Sequence, residues 1–215
     1  MSAAALLEAP ARDAAGFAAL TGATGGQLAD LERFRAMLED WNGRVNLVSA
    51  ASLAEFWPRH AFDSAQLLPL APTARVWVDI GAGAGFPGLV LAILLKGTTG
   101  ATVHLVESQG KRGRFLEAVA RELALPAEVH VARAEDLALT ADVVTARAVA
   151  PLARLLGFAR PYLARGAVGL FLKGRNAETE LAEARSLWRF GCEVVASRSD
   201  LQGRILMVEG LARAR

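Results

Sequence analysis

The segment from Val78 to Gly88 constrains the fold of this 215-residue chain more than any other feature of its sequence. It reads VDIGAGAGFPG, so that a strand of apolar character runs into four glycines and an apolar helical stretch follows. Glycine lets the backbone approach a ligand without a Cβ clash and permits positive φ. In open α/β sheets, ligands bind beyond the carboxyl ends of the strands. The segment therefore predicts a ligand-binding turn at the edge of a parallel sheet.

From residue 73 onwards, the hydrophobic pattern alternates between strand and helix periods. Strands are predicted at 75–80, 102–107, 128–133, 142–146, 167–172, 193–197 and 204–208. Helices are predicted at 86–96, 111–123, 152–163 and 177–188. This alternation predicts an α/β fold with a mostly parallel sheet and helices on both faces. The last strand should be antiparallel, because only a loop joins it to the strand before it.

Ahead of the sheet, residues 1–72 are predicted to form a helical N-terminal extension to an α/β domain of residues 73–215. Helical stretches are expected there at 3–20, from residue 27, and at 52–70 with an interruption at Pro58. The middle stretch is clearly amphipathic, because large apolar side chains recur at helical spacing. These side chains are Leu31, Phe34, Leu38 and Trp41.

Composition excludes several classes of protein. The longest strongly apolar run, 89–95, is far shorter than the ~20 residues that cross a bilayer. Because residues 1–10 also lack the pattern of a secretory signal, we expect a cytoplasmic protein with no membrane partner. The single cysteine, Cys192, excludes a disulfide framework and a cysteine-based zinc site. Only three histidines are present, so no metal site is expected, and we expect a monomer.

Two acidic residues near the glycines distinguish between nucleotide ligands. Glu107 ends the next predicted strand, where its carboxylate can accept both hydroxyls of a ribose. Asp79 precedes the first glycine by two residues, where it can bind an ammonium group or order water beneath a cationic ligand. S-adenosylmethionine has an amino-acid end, a ribose and a sulfonium. The arrangement therefore favours S-adenosylmethionine as the cofactor, with the turn at Gly83 beside it.

A dinucleotide is the competing ligand, because Gly83, Gly85 and Gly88 match the G-x-G-x-x-G pattern. Dinucleotide folds, however, prefer an apolar residue where Asp79 stands, and the run here contains an extra glycine. The residues after Gly88 are needed to complete the sheet, which leaves no obvious second substrate domain. A nicotinamide enzyme is therefore the weaker alternative, and a non-catalytic relic of a cofactor fold stays open.

Further motifs follow one another in a fixed order over residues 28–208. They are Trp41-Asn42-x-x-Val45-Asn46-Leu47-Val48-Ser49, His60-x-x-Asp63-Ser64, Val106-Glu107-Ser108-x-x-Lys111-Arg112-x-x-Phe115-Leu116, Arg133-Ala134-Glu135, Thr145-Ala146-Arg147-Ala148-Val149-Ala150-Pro151-Leu152 and Leu172-Lys173-Gly174. Together with the glycine-rich segment, this set resembles the small-subunit ribosomal RNA guanine-N7 methyltransferase family (RsmG, formerly called GidB). Residues 1–24 lie outside the resemblance.

The resemblance implies a class I S-adenosylmethionine-dependent methyltransferase with a Rossmann-like fold. It also implies methyl transfer to N7 of a guanine in 16S rRNA, with the rRNA or the small ribosomal subunit as partner. Carried over position by position, the family's cofactor contacts fall on Gly81, Phe86, Ala134, Glu135 and Arg147. The ribose and turn arguments add Asp79, Gly83 and Glu107.

Missing motifs agree with N7 as the atom attacked. The fourth predicted strand ends in Thr145–Ala148 rather than in the Asp/Asn-Pro-Pro-aromatic loop of amino methylation. Cys192 lacks the context of a carbon-5 nucleophile, and three lysines are few for ribose methylation. Guanine N7 has a free lone pair, so alignment alone can supply much of the catalysis. Arg147 is the first candidate catalytic residue and Lys173 the second, because either can hold guanine O6 while leaving N7 free.

Basic side chains follow Glu107 on the next predicted helix and form either a solvated face or a contact with RNA phosphates. This basic rim consists of Lys111, Arg112, Arg114 and Arg121. Two other functions stay open. A methyltransferase for a small molecule or a protein predicts a closed pocket under the N-terminal helices, and an RNA-binding protein with a vestigial fold predicts a decayed cofactor loop.

His60, Asp63 and Ser64 contain the residue types of a hydrolase triad. No nucleophile elbow or oxyanion loop accompanies them, so a structural role is expected instead, and a position of their helix at the mouth of the active site is the alternative.

Overall fold

A computed structural model describes residues 11–214, which form a seven-stranded sheet with helices on both faces. The α-helices are α1 (Ala14–Thr21), α2 (Gly25–Asn42), α3 (Ala50–Ala54), α4 (Asp63–Ala65), α5 (Gly88–Leu94), α6 (Gly110–Glu122), α7 (Leu152–Leu163) and α8 (Ala177–Leu187). The strands are β1 (Val76–Ile80), β2 (Thr102–Val106), β3 (Ala127–His130), β4 (Val143–Arg147), β5 (Val168–Lys173), β6 (Trp188–Ala196) and β7 (Arg204–Arg213). A π-helix covers Phe56–Phe62, and 3-10 turns cover Leu68–Leu70 and Ala134–Asp136.

The strands lie in the order β3-β2-β1-β4-β5-β7-β6. β7 is antiparallel to both neighbours, and the other adjacent pairs are parallel. From β1 the chain moves outward to β2 and β3 on one side and then returns to β4 on the other. This reversal creates a crevice at the carboxyl ends of β1 and β4, where α/β sheets bind ligands. The predicted sheet, mostly parallel with an antiparallel last strand, is confirmed.

The apolar character of β1 and α5 follows from burial on every side. All residues of β1 after Val76 are buried, as is α5 from Gly88 to Ile93. Strands covered on both faces of a sheet read as continuous apolar runs rather than alternating ones. The same burial keeps the glycine-rich loop between these elements in a fixed position.

The N-terminal helices share a hydrophobic core with one face of the sheet. Phe34 of α2 is the centre of this contact, with ring centroids 5.8 Å from Phe56, 5.3 Å from Phe86 and 6.3 Å from Phe115. Helices α7 and α8 cover the other face in a second cluster. The helical extension thus packs directly on the glycine-rich loop, and its boundary after residue 72 stays a prediction.

The N-terminal helices differ in detail from the sequence expectation. The part of the helix predicted at 3–20 that precedes residue 11 lies outside the described residues. The stretch predicted at 52–70 is divided among α3, the π-helix, α4 and a 3-10 turn. The predicted interruption at Pro58 is wrong, because the break falls at Glu55 and Pro58 is the third residue of the π-helix. A proline is accommodated there, since the first N–H groups of a helix have no partner within it.

Both closing strands are longer than predicted. β6 and β7 pair along most of their length, with one irregularity between Arg189 and Gly191. Gly191 and Gly210 lie inside these strands, and glycine in a strand weakens the pattern by which a strand is recognised.

Of the helices in residues 11–214, none combines the length and the apolar character needed to cross a membrane.

Candidate active site

An open cleft of about 1770 Å³ lies at the carboxyl edge of the sheet. Its walls include Gly81 and Gly83 after β1, Arg147 at the end of β4, and Lys173 at the end of β5. Small-ligand pockets usually have volumes of roughly 300–1,000 Å³. The cleft therefore has room for a cofactor and for part of a larger substrate.

The glycine-rich loop is held to the end of β2 by its own backbone. The N–H groups of Gly81 and Ala82 donate to the Val106 carbonyl at 2.8 and 3.0 Å. Gly81, Gly83 and Gly85 have φ values of 68°, 55° and 90°, which explains the need for glycine at these three positions. The loop backbone at Gly81 and Gly83 stays partly accessible from the cleft.

Asp79 lies fully buried beneath the loop. Its Oδ2 accepts a hydrogen bond from the Gly88 N–H at 2.9 Å, and its Oδ1 accepts one from Thr145 Oγ1 at 3.0 Å. A Cβ at position 88 would collide with Leu105 and with Asp79, so glycine is required at the start of α5. Burial raises the pKa of Asp79 to about 7, against the lowering effect of both donors. Asp79 thus joins three elements, and its direct contact with a cofactor stays a prediction.

Glu107 supports the same loop from the end of β2. It is 4% exposed; its Oε2 accepts from the Gly83 N–H at 3.0 Å, and its Oε1 accepts from the Gln109 N–H at 2.8 Å. A carboxylate oxygen can accept two hydrogen bonds. Each oxygen of Glu107 can therefore accept a second hydrogen bond, but Glu107 does not line the cleft, and its contact with a ribose stays a prediction.

Arg147 extends from the end of β4 to the N-terminal extension. Its Nη1 donates to the Arg59 carbonyl at 2.9 Å and lies 3.4 Å from Asp63 Oδ2. Its Nη2 lies 2.8 Å from His60 Nδ1, and its guanidinium carbon lies 5.0 Å from the centre of the Phe86 ring. The position predicted for cofactor and base contact is thus held by the π-helix segment.

His60 has a defined tautomer in this arrangement. Arginine has no acceptor, so Nδ1 of His60 must accept from Arg147 and the proton must lie on Nε2. Nε2 is 2.7 Å from Ser52 Oγ and donates a hydrogen bond to it. Burial, with help from Arg147 and Arg59, lowers the pKa of His60 to about 3. His60 is therefore neutral at physiological pH, and both of its ring nitrogens are engaged.

The Ser64 hydroxyl donates to the His60 carbonyl at 2.6 Å rather than to the imidazole ring. The expectation that these residues form no hydrolase triad is therefore consistent with the geometry.

A polar network that the sequence patterns did not predict fixes Asp63. Its Oδ1 accepts from Ser199 Oγ at 2.6 Å and from Gln66 Nε2 at 2.9 Å. Ser199 belongs to the loop between β6 and β7, which forms another wall of the cleft. The motif His60-x-x-Asp63-Ser64 was the available signal, but it did not identify the partners of Asp63.

Phe86 lines the cleft with little of its ring exposed, at 4%. The His60 ring stacks on it with a centroid distance of 4.4 Å and an interplanar angle of 14°. Phe34 packs against it at 5.3 Å. Phe86 therefore connects the aromatic core to the Arg147 site, and packing of its ring against a cofactor stays a prediction.

Lys173 is paired within the protein. Its Nζ donates to Glu180 Oε2 and to the Ala150 carbonyl, each at 2.7 Å. The same Glu180 oxygen accepts from the Leu152 N–H at the start of α7, also at 2.7 Å. Lys173 thus stabilises the beginning of a helix, and a role in holding guanine would require this ion pair to open.

Four of the predicted contacts do not line this cleft, namely Asp79 and Glu107 beneath and beside the loop and Ala134 and Glu135 farther away. Ala134 is buried in a 3-10 turn, where its carbonyl accepts from the Tyr162 hydroxyl at 2.7 Å. Glu135 is exposed, and one of its oxygens lies 3.7 Å from Arg133 Nη1. The contacts of Ala134 and Glu135 with an adenine therefore stay a prediction.

Basic side chains predominate in the cleft. The basic lining residues are Arg12, Arg59, Arg112, Arg147, Lys173, Arg198 and Arg204, and the acidic ones are Glu55, Asp63, Glu180 and Asp200. Arg112 also belongs to the basic rim, so the rim is continuous with the cleft. This distribution suits a polyanionic substrate.

Stability should depend on pH through Asp79. Because the folded-state pKa of about 7 exceeds the usual 3.8, Asp79 favours folding below pH 4 and loses that contribution as pH rises towards 7. Asp79→Asn keeps an acceptor for Gly88 but cannot ionise. We compare the free energy of unfolding of the wild type with that of this variant. The wild-type value minus the variant value should fall by up to about 4 kcal/mol between pH 4 and pH 8.

Denaturant unfolding at a series of pH values measures this difference. Asp136→Asn, which removes an exposed carboxylate, is the matched control. A constant difference between wild type and Asp79→Asn across the series would contradict the prediction.

Comparison with known proteins gives a consistent result. A family model described as rRNA small subunit methyltransferase G (GidB) matches residues 27–204. The chain is 62% identical over 203 residues to the ribosomal RNA small subunit methyltransferase G of Caulobacter vibrioides (strain NA1000 / CB15N), with 94% of each chain covered. It is 47% identical to the protein of the same name from Parvibaculum lavamentivorans, over 93% of this chain and 90% of that one.

The fold has solved counterparts as well. An O-methyltransferase from Bacillus cereus in complex with SAH matches with a TM-score of 0.57 at 15% identity, covering 85% of this chain and 91% of that chain. The class I methyltransferase fold predicted from the sequence is confirmed. Because the family model matches most of this chain, the chain belongs to the rRNA small subunit methyltransferase G family.

Proposed function

We propose that this methyltransferase transfers the methyl group of S-adenosylmethionine to N7 of a guanine in the 16S rRNA of the small ribosomal subunit. The observation that carries the proposal is the basic cleft, in which the glycine-rich loop and the guanidinium of Arg147 face one space. The volume of the cleft favours a large substrate over a small molecule. Its intact loop also argues against a vestigial cofactor fold.

The residues at the loop fit S-adenosylmethionine. Glu107 would hold the ribose hydroxyls through its free acceptor sites, and the accessible backbone at Gly81 and Gly83 would lie against the amino-acid end. The proposed set is completed by Asp79, Phe86, Ala134, Glu135 and Arg147. When bound, the cofactor supplies a methyl group on a positively charged sulfur.

Methylation at N7 needs no general base, because N7 of neutral guanine carries a free lone pair. The two cleft residues most suited to proton transfer, His60 and Lys173, both have their polar atoms engaged within the protein. The chain would then act mainly by aligning N7 with the methyl carbon and sulfur. The cleft therefore suits alignment of the guanine with the methyl group better than removal of a proton from the substrate.

Arg147 is the proposed contact for the base. Its guanidinium has five N–H donors, and the extension uses only part of them. A remaining donor can hold guanine O6 while N7 stays open to the methyl group, in contrast to the usual bidentate reading of O6 and N7. Lys173 is the second candidate, since Glu180 competes for it.

The substrate strand would enter along the basic rim. Lys111, Arg114 and Arg121 are exposed, and Arg112 lines the cleft. Guanine N7 is poorly accessible in the deep groove of an A-form helix, so the target guanine should lie in a loop, bulge or open tertiary region. An rRNA substrate implies a cytoplasmic enzyme. A monomer suffices, because one chain carries every proposed residue.

The atom attacked can be identified chemically. Small ribosomal subunits that lack the modification are incubated with the protein and S-adenosylmethionine, and the rRNA is treated with borohydride and aniline. N7 methylation leaves a fixed positive charge and a weakened glycosidic bond, so the rRNA should be cut at one site. Methyl incorporation without a cut would overturn N7 while leaving rRNA methylation intact.

The same experiment also tests the role of Arg147 and the identity of the substrate. Arg147→Ala, with its fold checked by thermal unfolding, should reduce the cut if Arg147 contacts the base. Absence of any methyl incorporation into subunits or free rRNA would contradict the proposed substrate and favour a small-molecule or protein acceptor.

The ribose contact can be tested with S-adenosylhomocysteine and its 2′-deoxy analogue. The wild type should bind S-adenosylhomocysteine more tightly than the 2′-deoxy analogue. Glu107→Ala should bind S-adenosylhomocysteine at least about tenfold more weakly than the wild type does, since hydrogen bonds to charged groups contribute roughly 1.5–3 kcal/mol. The variant should also bind the two compounds with equal affinity. Calorimetric titration measures both affinities, and Glu117→Ala on the exposed face of α6 is the control. If Glu107→Ala still discriminates between the two compounds, Glu107 does not bind the 2′-hydroxyl.

The basic rim predicts salt-dependent binding. The double variant Arg112→Glu/Arg114→Glu should bind RNA more weakly, whatever the RNA sequence. The slope of log affinity against log salt concentration should become shallower by about one unit for each phosphate contact that is lost. Arg185→Glu with Arg189→Glu makes the same charge change near the opposite edge of the sheet. Equal affinity and slope in both double variants would assign the rim to the ordinary solvated surface.

A further inference from the structure

Two of the three histidines meet a glutamate across the outer strands of the sheet. In the parallel pairing of β2 with β3, His104 lies opposite Glu128 and Val106 lies opposite His130. Glu128 and His130 are two residues apart on β3, so their side chains point to the same face. His104 shares that face by register. The three side chains therefore come together through backbone pairing alone.

The distances between their polar atoms are those of a ligand set. His104 Nδ1 is 3.0 Å from His130 Nε2 and 3.4 Å from Glu128 Oε2, and His130 Nε2 is 4.0 Å from the same oxygen. Three ligands bound to zinc at ~2.0–2.2 Å in tetrahedral geometry lie about 3.3–3.4 Å apart. The observed separations bracket this value, so small side-chain rotations would complete the geometry.

The location leaves the cluster accessible to solutes. The connection from β3 to β4 contains only the 3-10 turn Ala134–Asp136, whereas α7 and α8 cover the other end of this face. The side chains of His104 and His130 are 12% and 23% exposed, and that of Glu128 is 63% exposed. The two imidazoles are therefore partly held by their surroundings, while the carboxylate can move towards a bound ion.

We propose that His104, Glu128 and His130 form a binding site for a divalent transition-metal ion of the zinc type. Imidazole nitrogens and a carboxylate suit zinc and its neighbours, whereas magnesium and calcium prefer sites made only of oxygen. Three protein ligands leave the fourth position to water. The sequence expectation of no metal site considered only the number of histidines, which does not reveal the register of β2 with β3.

The site can be tested by titrating zinc into protein that carries no histidine tag and no chelator. Cys192→Ser serves as the reference chain, because a free thiol can also bind zinc. We expect one zinc per chain. His104→Ala and His130→Ala should each lower the affinity at least about tenfold, as even the removal of a group that supports a metal ligand costs 10–100-fold.

Cobalt provides a second measurement, because its visible absorption reports tetrahedral coordination by the protein. The spectrum should appear in the reference chain and be absent from both histidine variants, and magnesium should not compete. His60→Gln keeps the two strand histidines and is the matched control for removing one imidazole. Zinc binding that survives both alanine substitutions in folded protein, or no zinc binding at all, would overturn the proposal.

Discussion

The buried carboxylate of Asp79 connects the elements from which the candidate active site is built. Asp79 belongs to β1 and accepts hydrogen bonds from Gly88 at the start of α5 and from Thr145 in β4. A buried carboxylate without donors is costly, and these two hydrogen bonds offset part of that cost. Glycine is needed at position 88 because a Cβ there would collide with Leu105 as well as with this carboxylate. One side chain therefore links β1, β4 and the start of α5.

A second constraint joins the N-terminal extension to the sheet. Arg147 ends β4, yet its donors are directed to Arg59, His60 and Asp63 of the extension. Asp63 in turn is held by Ser199 from the loop between β6 and β7. Segments far apart in the chain thus form one wall of the cleft. Because class I methyltransferases share their sheet, the elements above its carboxyl edge are what distinguish one substrate from another.

The two faces of the sheet are covered unequally, and this decides where polar strand residues lie. Helices α5 and α6 cover one face of β2 and β3, where Val103 and Leu105 are fully buried. The β3–β4 connection contains only the 3-10 turn Ala134–Asp136, so no α-helix from it covers the other face of these strands. His104 and His130 occupy that face, so alternation along β2 and β3 places imidazoles towards the less covered side. A short connection in the fold thereby creates a second polar cluster, separate from the cleft.

The amino-acid sequence alone determined the fold class, the position of the glycine-rich turn and the family. These follow from local patterns: strand and helix periods, glycines at positions that need positive φ, and ordered motifs along the chain. Arg147 and Glu107 could be placed near the cleft for the same reason, since both end parallel strands. The limits of β6 and β7 were predicted less accurately, because internal glycines weaken the pattern.

Only the tertiary structure decided which partners these residues have. It joined Arg147 to His60, paired Lys173 with Glu180, and turned both oxygens of Asp79 towards the protein. It also brought His104 and His130 to 3.0 Å across a strand register. Such contacts depend on how separate elements pack, and packing is the sum of many weak interactions between residues distant in sequence. A local pattern places a residue on an element, whereas the packing of elements selects its neighbours.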